Sequence, residues 1–262
     1  RGQLALGSAA LRPLRAPHHS ATIPSLVGGG ADAVPGDITL AHRGVLFLDE
    51  LTEFKPGVLN ALREPLEAGK ITISRAKYRV VFPANFQLVA AMNPCPCGYA
   101  SDTRRSCRCS KERIIAYLGK VSGPLIDRFD LIIEVPSLSH AELLSTQSSH
   151  SNAEQTAHKE RLQWARRRRL IADCRAMQSQ RQGALNSDIK ASALEDACQL
   201  TDTKKAILVK LLEDLKVSAR GAHRILRMAR TIADYEGDTE VGETHFLEAA
   251  SYRRCAAMEG LI

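Results

Sequence analysis

The sequence has no apolar run approaching the ~20 residues that a helix needs to cross a bilayer. Its N-terminus carries arginines but no continuous apolar stretch of the kind found in signal peptides. A helical membrane protein and a simple secretory precursor are therefore not expected, and a cytoplasmic protein with no membrane partner is. An even set of cysteines is lacking too: there are seven, which argues against a disulfide framework. An initiator methionine is absent, and a chain that starts at Arg1 is expected to be a piece of something longer. What is present is ordinary for a globular protein: 262 residues, 44% hydrophobic and 25% charged, enough for one large domain or a larger and a smaller one.

The net charge is +7, which permits nucleic-acid binding without requiring it. The excess is uneven. Arg161, Arg166, Arg167, Arg168, Arg169, Arg175 and Arg181 share one short segment in which Asp173 is the opposing charge. Such a run is either a solvated lid or linker helix, or a surface for nucleic acid or a partner.

Along the chain, two prolines make Arg12 to Ser20 an extended connector or edge strand. Gly28 to Gly30 and Pro35-Gly36 bracket a turn-rich stretch. Val45-Leu-Phe-Leu48 has the continuous apolar character of a strand buried on both faces of a parallel sheet. Pro56 to Leu66 reads as a helix, Ile71 to Phe82 as a hairpin turning at Arg75-Ala-Lys77, and Phe86 to Met92 as a second buried strand. Lys111 to Leu118 reads as a helix and Leu131 to Val135 as a third strand closed by Pro136. Beyond Ala141 strand signals stop, and helical periodicity covers roughly 155–181, 188–200, 203–215, 218–236 and 243–258. The predicted organisation is an α/β part over 1–137, a serine-rich linker over 138–154 and an all-helical part over 155–262.

Asp49 and Glu50 end the first buried strand, at the sheet edge where ligands of open α/β folds bind. Phosphoryl-transfer chemistry needs one carboxylate to hold hydrated Mg²⁺ and another to orient the attacking water. Asp49 suits the first role and Glu50 the second, although a strand can also simply end in acids. Asn93 ends the next strand and would reach the same water, or serve as a turn residue before Pro94. Arg128, between Asp127 and Asp130, reads as a structural ion pair or as an arginine that reaches a neighbouring γ-phosphate. Arg220, at the start of a helix, offers a second phosphate-facing guanidinium or a structural contact.

Cys95, Cys97, Cys107 and Cys109 supply four thiolates, enough for a closed tetrahedral Zn²⁺ site with a structural role. The one-residue gap within each pair is tighter than usual. Against that, Gly98 to Ser106 has little apolar content beyond Tyr99 and Ala100 to hold it folded. The alternative is four reduced, exposed thiols. Cys174, Cys198 and Cys255 read as small buried hydrophobes.

Five segments in order carry a family resemblance: Arg12-Pro-Leu-Arg-Ala-Pro-His-His-Ser20, Leu40 to Leu51, Ala61 to Glu67, Ala90 to Gly98 and Ser122 to Asp130. Together they resemble the magnesium chelatase-like AAA+ ATPases, and within them the YifB/ComM branch. The resemblance implies a partial P-loop NTPase core with a parallel sheet followed by an all-α lid. It implies ATP and Mg²⁺ as cofactors, Walker B acids at Asp49 and Glu50, sensor 1 at Asn93, an arginine finger at Arg128 and sensor 2 at Arg220. It also implies a helix-2 insert at 28–38 and a pre-sensor hairpin at 71–82, which would place Arg75 and Lys77 near DNA in a homo-hexameric ring. The implied work is ATP-driven translocation on DNA and branch migration in natural transformation. A chelatase-type motor that remodels a protein partner, or a non-catalytic remnant, stands as the alternative. One expected part is missing: no Gly-x-x-x-x-Gly-Lys-[Ser/Thr] occurs in the 262 residues, so this chain alone is expected to hydrolyse ATP poorly. That loop and a Lon-like domain are expected upstream.

Overall fold

Strand β4 (Val45–Leu48) sits in the middle of a three-stranded parallel sheet, between β1 (Leu14–Arg15) and β7 (Gln87–Ala90). The computed structural model describes residues 12–30, 32–75, 78–102, 104–137, 153–215 and 217–253. They form two compact units that divide after Phe129.

In the first unit β4 is the strand its apolar run predicts, but it is fully buried on one face only: Leu46 and Leu48 are shielded from water while Val45 and Phe47 are half-buried, and β7, also expected to be buried, is partly exposed. The predicted edge strand is realised in β1, whose backbone comes so close to β4 that a Cβ on Gly44 would lie 1.9 Å from the Pro13 carbonyl oxygen. Between β1 and β4 the turn-rich stretch forms a two-stranded ribbon, β2 (Gly28–Gly29) with β3 (Val34–Pro35), flanked by α1 (Ile23–Val27) and α2 (Asp37–Leu40). Gly28 has φ 98°, and a Cβ there would meet the Val34 carbonyl oxygen at 2.5 Å, so glycine is required. The helix expected over 56–66 is two short ones, α3 (Pro56–Ala61) and α4 (Arg63–Ala68). The hairpin is β5 (Lys70–Arg75) with β6 (Tyr78–Pro83), in register from Lys70 opposite Pro83 to Arg75 opposite Tyr78. Helices α5 (Lys111–Leu118, capped by Ser110) and α6 (Gly123–Ile126) complete this unit. Its buried residues include Leu26, Ile38, Phe54, Leu59, Leu62, Leu118 and Leu125, all shielded from water.

The second unit is helical: α7 (Ala153–Gln182), α8 (Leu194–Ala197), α9 (Asp202–Asp214), α10 (Ala219–Glu236) and α11 (Glu243–Ser251). Ile225, Ala229 and Ala233 of α10 pack with Phe246 and Ala249 of α11, closed by Leu194, Cys198 and Leu208. The helix expected over 188–200 is broken into two 3-10 turns and the short α8. Residues 254–258 of the last predicted helix lie outside the described residues.

The third predicted strand is corrected. Leu131 to Val135 has no strand pairing among the described residues, and Leu131, Ile133 and Val135 are 43%, 67% and 85% exposed. A strand needs a ladder partner. The backbone contact made here is Ile132 N–H to the Tyr252 carbonyl oxygen, 2.8 Å, at the end of a helix. An apolar, β-branched run without a pairing neighbour stays irregular.

Among the described residues no helix is long and apolar enough to cross a membrane.

Candidate active site

The parallel register places Leu48 opposite Ala90, so β4 and β7 leave the sheet at the same edge. Two backbone bonds continue the ladder past the strands: Ala91 N–H to the Leu48 carbonyl and Leu51 N–H to the Ala91 carbonyl, both 2.9 Å. Asp49 and Glu50 leave β4 at that edge and are exposed. Asn93, also exposed, leaves β7 two residues beyond Ala91. The topology therefore brings two carboxylates and an amide to one edge of the sheet.

Glu50 is held in a left-handed conformation, φ 51° and ψ 51°, that few non-glycine residues adopt. Its N–H donates to the Asp49 carboxylate at 3.0 Å. Its own carboxylate meets His19 Nδ1 at 3.1 Å, and His19 stacks on His18 with ring centroids 4.0 Å apart. Sequence reasoning assigned His19 no role. Its place in the Pro-His-His-Ser segment, directly after the edge strand, was the available signal.

Arg128 follows α6 and is nearly enclosed. It donates to the Pro124 carbonyl at 2.5 Å and pairs with Glu67 of α4. Of the two readings open for it, the structural ion pair is present in this chain. Arg220 lies in the first turn of α10, exposed, behind the Ser218 cap that accepts from Gly221 N–H at 3.1 Å. Arg75 ends β5 at the hairpin tip, and Lys77 lies outside the described residues.

The cysteines converge. The Sγ atoms of Cys95, Cys97, Cys107 and Cys109 all lie within 4.8 Å of one another. Cys95 is fully buried and the others are half-buried. Backbone N–H groups of Tyr99 and Arg108, then the Cys95 thiol, bring the Cys97 thiol down to about 6. At Cys107 the Cys109 N–H favours the thiolate, but burial and the adjoining sulfurs outweigh it and push the thiol up to about 12. Four soft sulfur donors at this spacing fit a closed tetrahedral zinc site better than any oxygen-ligated ion. A second trio, Glu236, Asp238 and His245, does not fit a metal. The Gly242 N–H donates to His245 Nδ1 at 2.8 Å, which fixes the neutral ring with its proton on Nε2, and that N–H points at the two carboxylates.

Residues 3–144 match the family model described as magnesium chelatase, subunit ChlI. The chain belongs to the magnesium chelatase family. Residues 161–253 of this family member match the model of the same subunit's C-terminal part. The chain is 46% identical over 242 residues to competence protein ComM of Haemophilus influenzae, which covers 92% of this chain and 45% of ComM. It is 43% identical to the uncharacterized protein YifB of Escherichia coli over the same shares. The 38 kDa magnesium-chelatase subunit of Acidiphilium rubrum is 25% identical over 82% of this chain and 53% of its own length. The chain thus spans about half the length of the curated relatives it matches. In this magnesium chelatase family member the parallel α/β core and the helical second unit accord with a partial AAA+-type core followed by an all-α lid.

Proposed function

We propose that this chain carries the Mg²⁺- and water-handling half of an ATP-driven DNA translocase of ComM type, working in recombination during natural transformation. The delivery of Asp49, Glu50 and Asn93 to one edge of a parallel sheet carries the ATPase side of this reading. Asp49 would hold Mg²⁺, Glu50 would orient the attacking water, and Asn93 would fix that water or a phosphate oxygen. When bound, ATP with Mg²⁺ supplies the phosphoryl group whose transfer drives movement. The glycine-rich loop that cradles its phosphates is not in these 262 residues, so the activity is that of the whole protein. Arg128 would act as the finger on a neighbouring subunit's nucleotide in a homo-hexamer, exchanging its Glu67 pair for phosphate. Arg220 would contact nucleotide from the lid.

The DNA side is supported by the likeness to a competence protein and by α7. From His158 to Asp173 every residue of that helix is exposed, and the stretch includes Arg161, Arg166 to Arg169 and Trp164, whose ring lies 5.2 Å from the Arg167 guanidinium carbon. Cationic side chains beside an open aromatic face suit single-stranded nucleic acid. Arg75, where β5 ends, would add a second contact, together with Lys77 if the family resemblance holds for it.

The test is ATP hydrolysis by the full-length protein with and without single-stranded and branched DNA. Stimulation by DNA, lost with Glu50→Gln, is the expected result. Hydrolysis indifferent to every DNA, but raised by a protein partner, would instead favour a chelatase-type remodelling motor.

A further inference from the structure

Between β7 and α5 runs a loop of about twenty residues with few apolar groups, and four cysteine sulfurs gather inside it. The Cys95–Cys97, Cys97–Cys107 and Cys95–Cys107 sulfurs lie 3.3, 3.5 and 3.7 Å apart. A disulfide would bring two of them to about 2.05 Å. Four thiolates around one zinc, each bond about 2.3 Å, stand about 3.8 Å apart at the corners of a tetrahedron. The observed separations are close to the second figure and far from the first. No carboxylate or imidazole belongs to the set, which disfavours hard cations.

The ends of the loop give the cluster a further meaning. Cys95 is fully buried and is joined to Asn93 through the single residue Pro94, whose ring fixes one backbone torsion. Cys109 directly precedes Ser110, the residue that caps α5. The apolar content between them is small; Tyr99 is held by a 2.8 Å hydrogen bond from Arg105, and Asp102 by the N–H groups of Arg104 and Arg105. These local contacts order the loop tip but do not tie its two ends together. Across the loop the four sulfurs meet, and the Arg108 N–H bonds to the Cys97 sulfur.

We infer that Cys95, Cys97, Cys107 and Cys109 bind one structural zinc ion that joins the exit of β7 to the start of α5 and thereby positions Asn93 at the sheet edge. Four thiolates fill the coordination shell, so the ion takes no part in chemistry. Cys95 is a positioning residue, acting on hydrolysis through the Asn93 amide. The positioning role rests on the ATPase reading proposed above; the zinc site itself does not.

The test uses full-length protein purified without chelators. Elemental analysis is expected to give one zinc per chain, retained in Cys174→Ser and lost in Cys97→Ser and Cys107→Ser. Should those variants fail to fold, exchange of wild-type protein with Co²⁺ reads the same site through the visible absorption of tetrahedral thiolate cobalt. Protein without zinc that takes up neither Zn²⁺ nor Co²⁺ after anaerobic reduction overturns the site, and stoichiometric iron overturns the assignment to zinc. For the positioning role, chelation is expected to lower kcat for ATP at least tenfold while KM moves less than twofold, with recovery on adding Zn²⁺. Zinc-depleted protein with unchanged kcat overturns that role. A zinc-loaded protein without any ATPase would overturn the proposed function and leave the zinc site standing.

Discussion

The imidazole of His19 lies 3.1 Å from the carboxylate of Glu50, at the edge where the central strand ends. His19 is itself held, stacked on His18, whose Nδ1 accepts from the Ser20 N–H at 3.3 Å. A carboxylate that is to orient or deprotonate water needs an open acceptor oxygen, and His19 occupies one. In the full-length protein, His19→Ala is therefore expected to raise DNA-independent ATP hydrolysis several-fold and to narrow the ratio of DNA-stimulated to basal rate. Glu50→Gln should do the opposite, lowering kcat by about 10²–10⁴ with nucleotide affinity kept. Steady-state kinetics separates the two; a His19→Ala protein as inactive as Glu50→Gln would sink the idea that His19 restrains the acid.

Trp164 is the single tryptophan of the chain and is 57% exposed on α7. Its emission therefore reports on one helix. Oligo-dT is expected to quench it at low salt, with the affinity falling as salt rises, by about 0.7 decade per decade of salt for each phosphate contacted. Trp164→Ala should weaken binding by about 1–3 kcal/mol, the worth of one stacked base. Reversing Arg166 and Arg168 to glutamate should flatten the salt slope. An emission spectrum of this chain indifferent to oligo-dT, where the full-length protein's ATPase still responds to DNA, would assign DNA contact away from α7 instead.

How much of this was legible depended on how local the cause was. Val45 to Leu48 announces a strand, though one fully buried on a single face, and Asp49-Glu50 at its end needed no distant partner to be noticed. The hairpin was readable because its alternation and its turn lie within one short segment. Leu131 to Val135 was misread because a strand is a property of two segments, and this run has no ladder partner among the described residues. Arg181 was grouped with the basic run, yet it pairs with Asp234, 53 positions away, at 2.5 Å. The His19–Glu50 contact likewise spans two strands, and no spacing rule connects them.

Gly44 is a backbone requirement rather than a sequence ornament. An alanine Cβ there would lie 1.9 Å from the Pro13 carbonyl oxygen and 2.6 Å from the Pro13 ring, far inside van der Waals contact. Neither neighbour is a flexible chain end, so β1 would have to move off β4. Gly57, in α3, is the matched control: its added Cβ would sit 3.8 Å from Ile23 Cδ1, an ordinary contact. Gly57→Ala should be neutral or stabilising by up to about 1 kcal/mol. Gly44→Ala should lower the unfolding midpoint by many degrees or leave the protein insoluble. Equal melting temperatures for the two variants would show that β1 pairs with β4 less closely than described.

Asp234 anchors the far end of α7 to α10. Its carboxylate accepts from Arg181, from Arg230 Nε at 3.0 Å and from the Asn186 amide at 2.8 Å, and both Asp234 and Arg230 side chains are shut off from water. Burial alone would raise its pKa; the hydrogen bonds from Arg181 and Asn186, with the Arg230 charge, outweigh it and hold the carboxyl below its ordinary value. A carboxyl depressed in the folded state contributes stability that is fully present above the unfolded value, near 3.9, and is lost as pH falls through the folded one. Asp234→Ala leaves Arg230 charged and buried without its partner, at a cost of about 3–5 kcal/mol at neutral pH. Arg181→Ala should cost less, since its side chain is 28% exposed and can be hydrated when the pair is lost. Thermal unfolding of wild type and Asp234→Ala, compared from about pH 7 down to about pH 3, should show a gap that narrows on the acid side. A gap that stayed constant with pH would mean that the carboxylate charge contributes nothing, and that packing around α10 alone holds the helix in place.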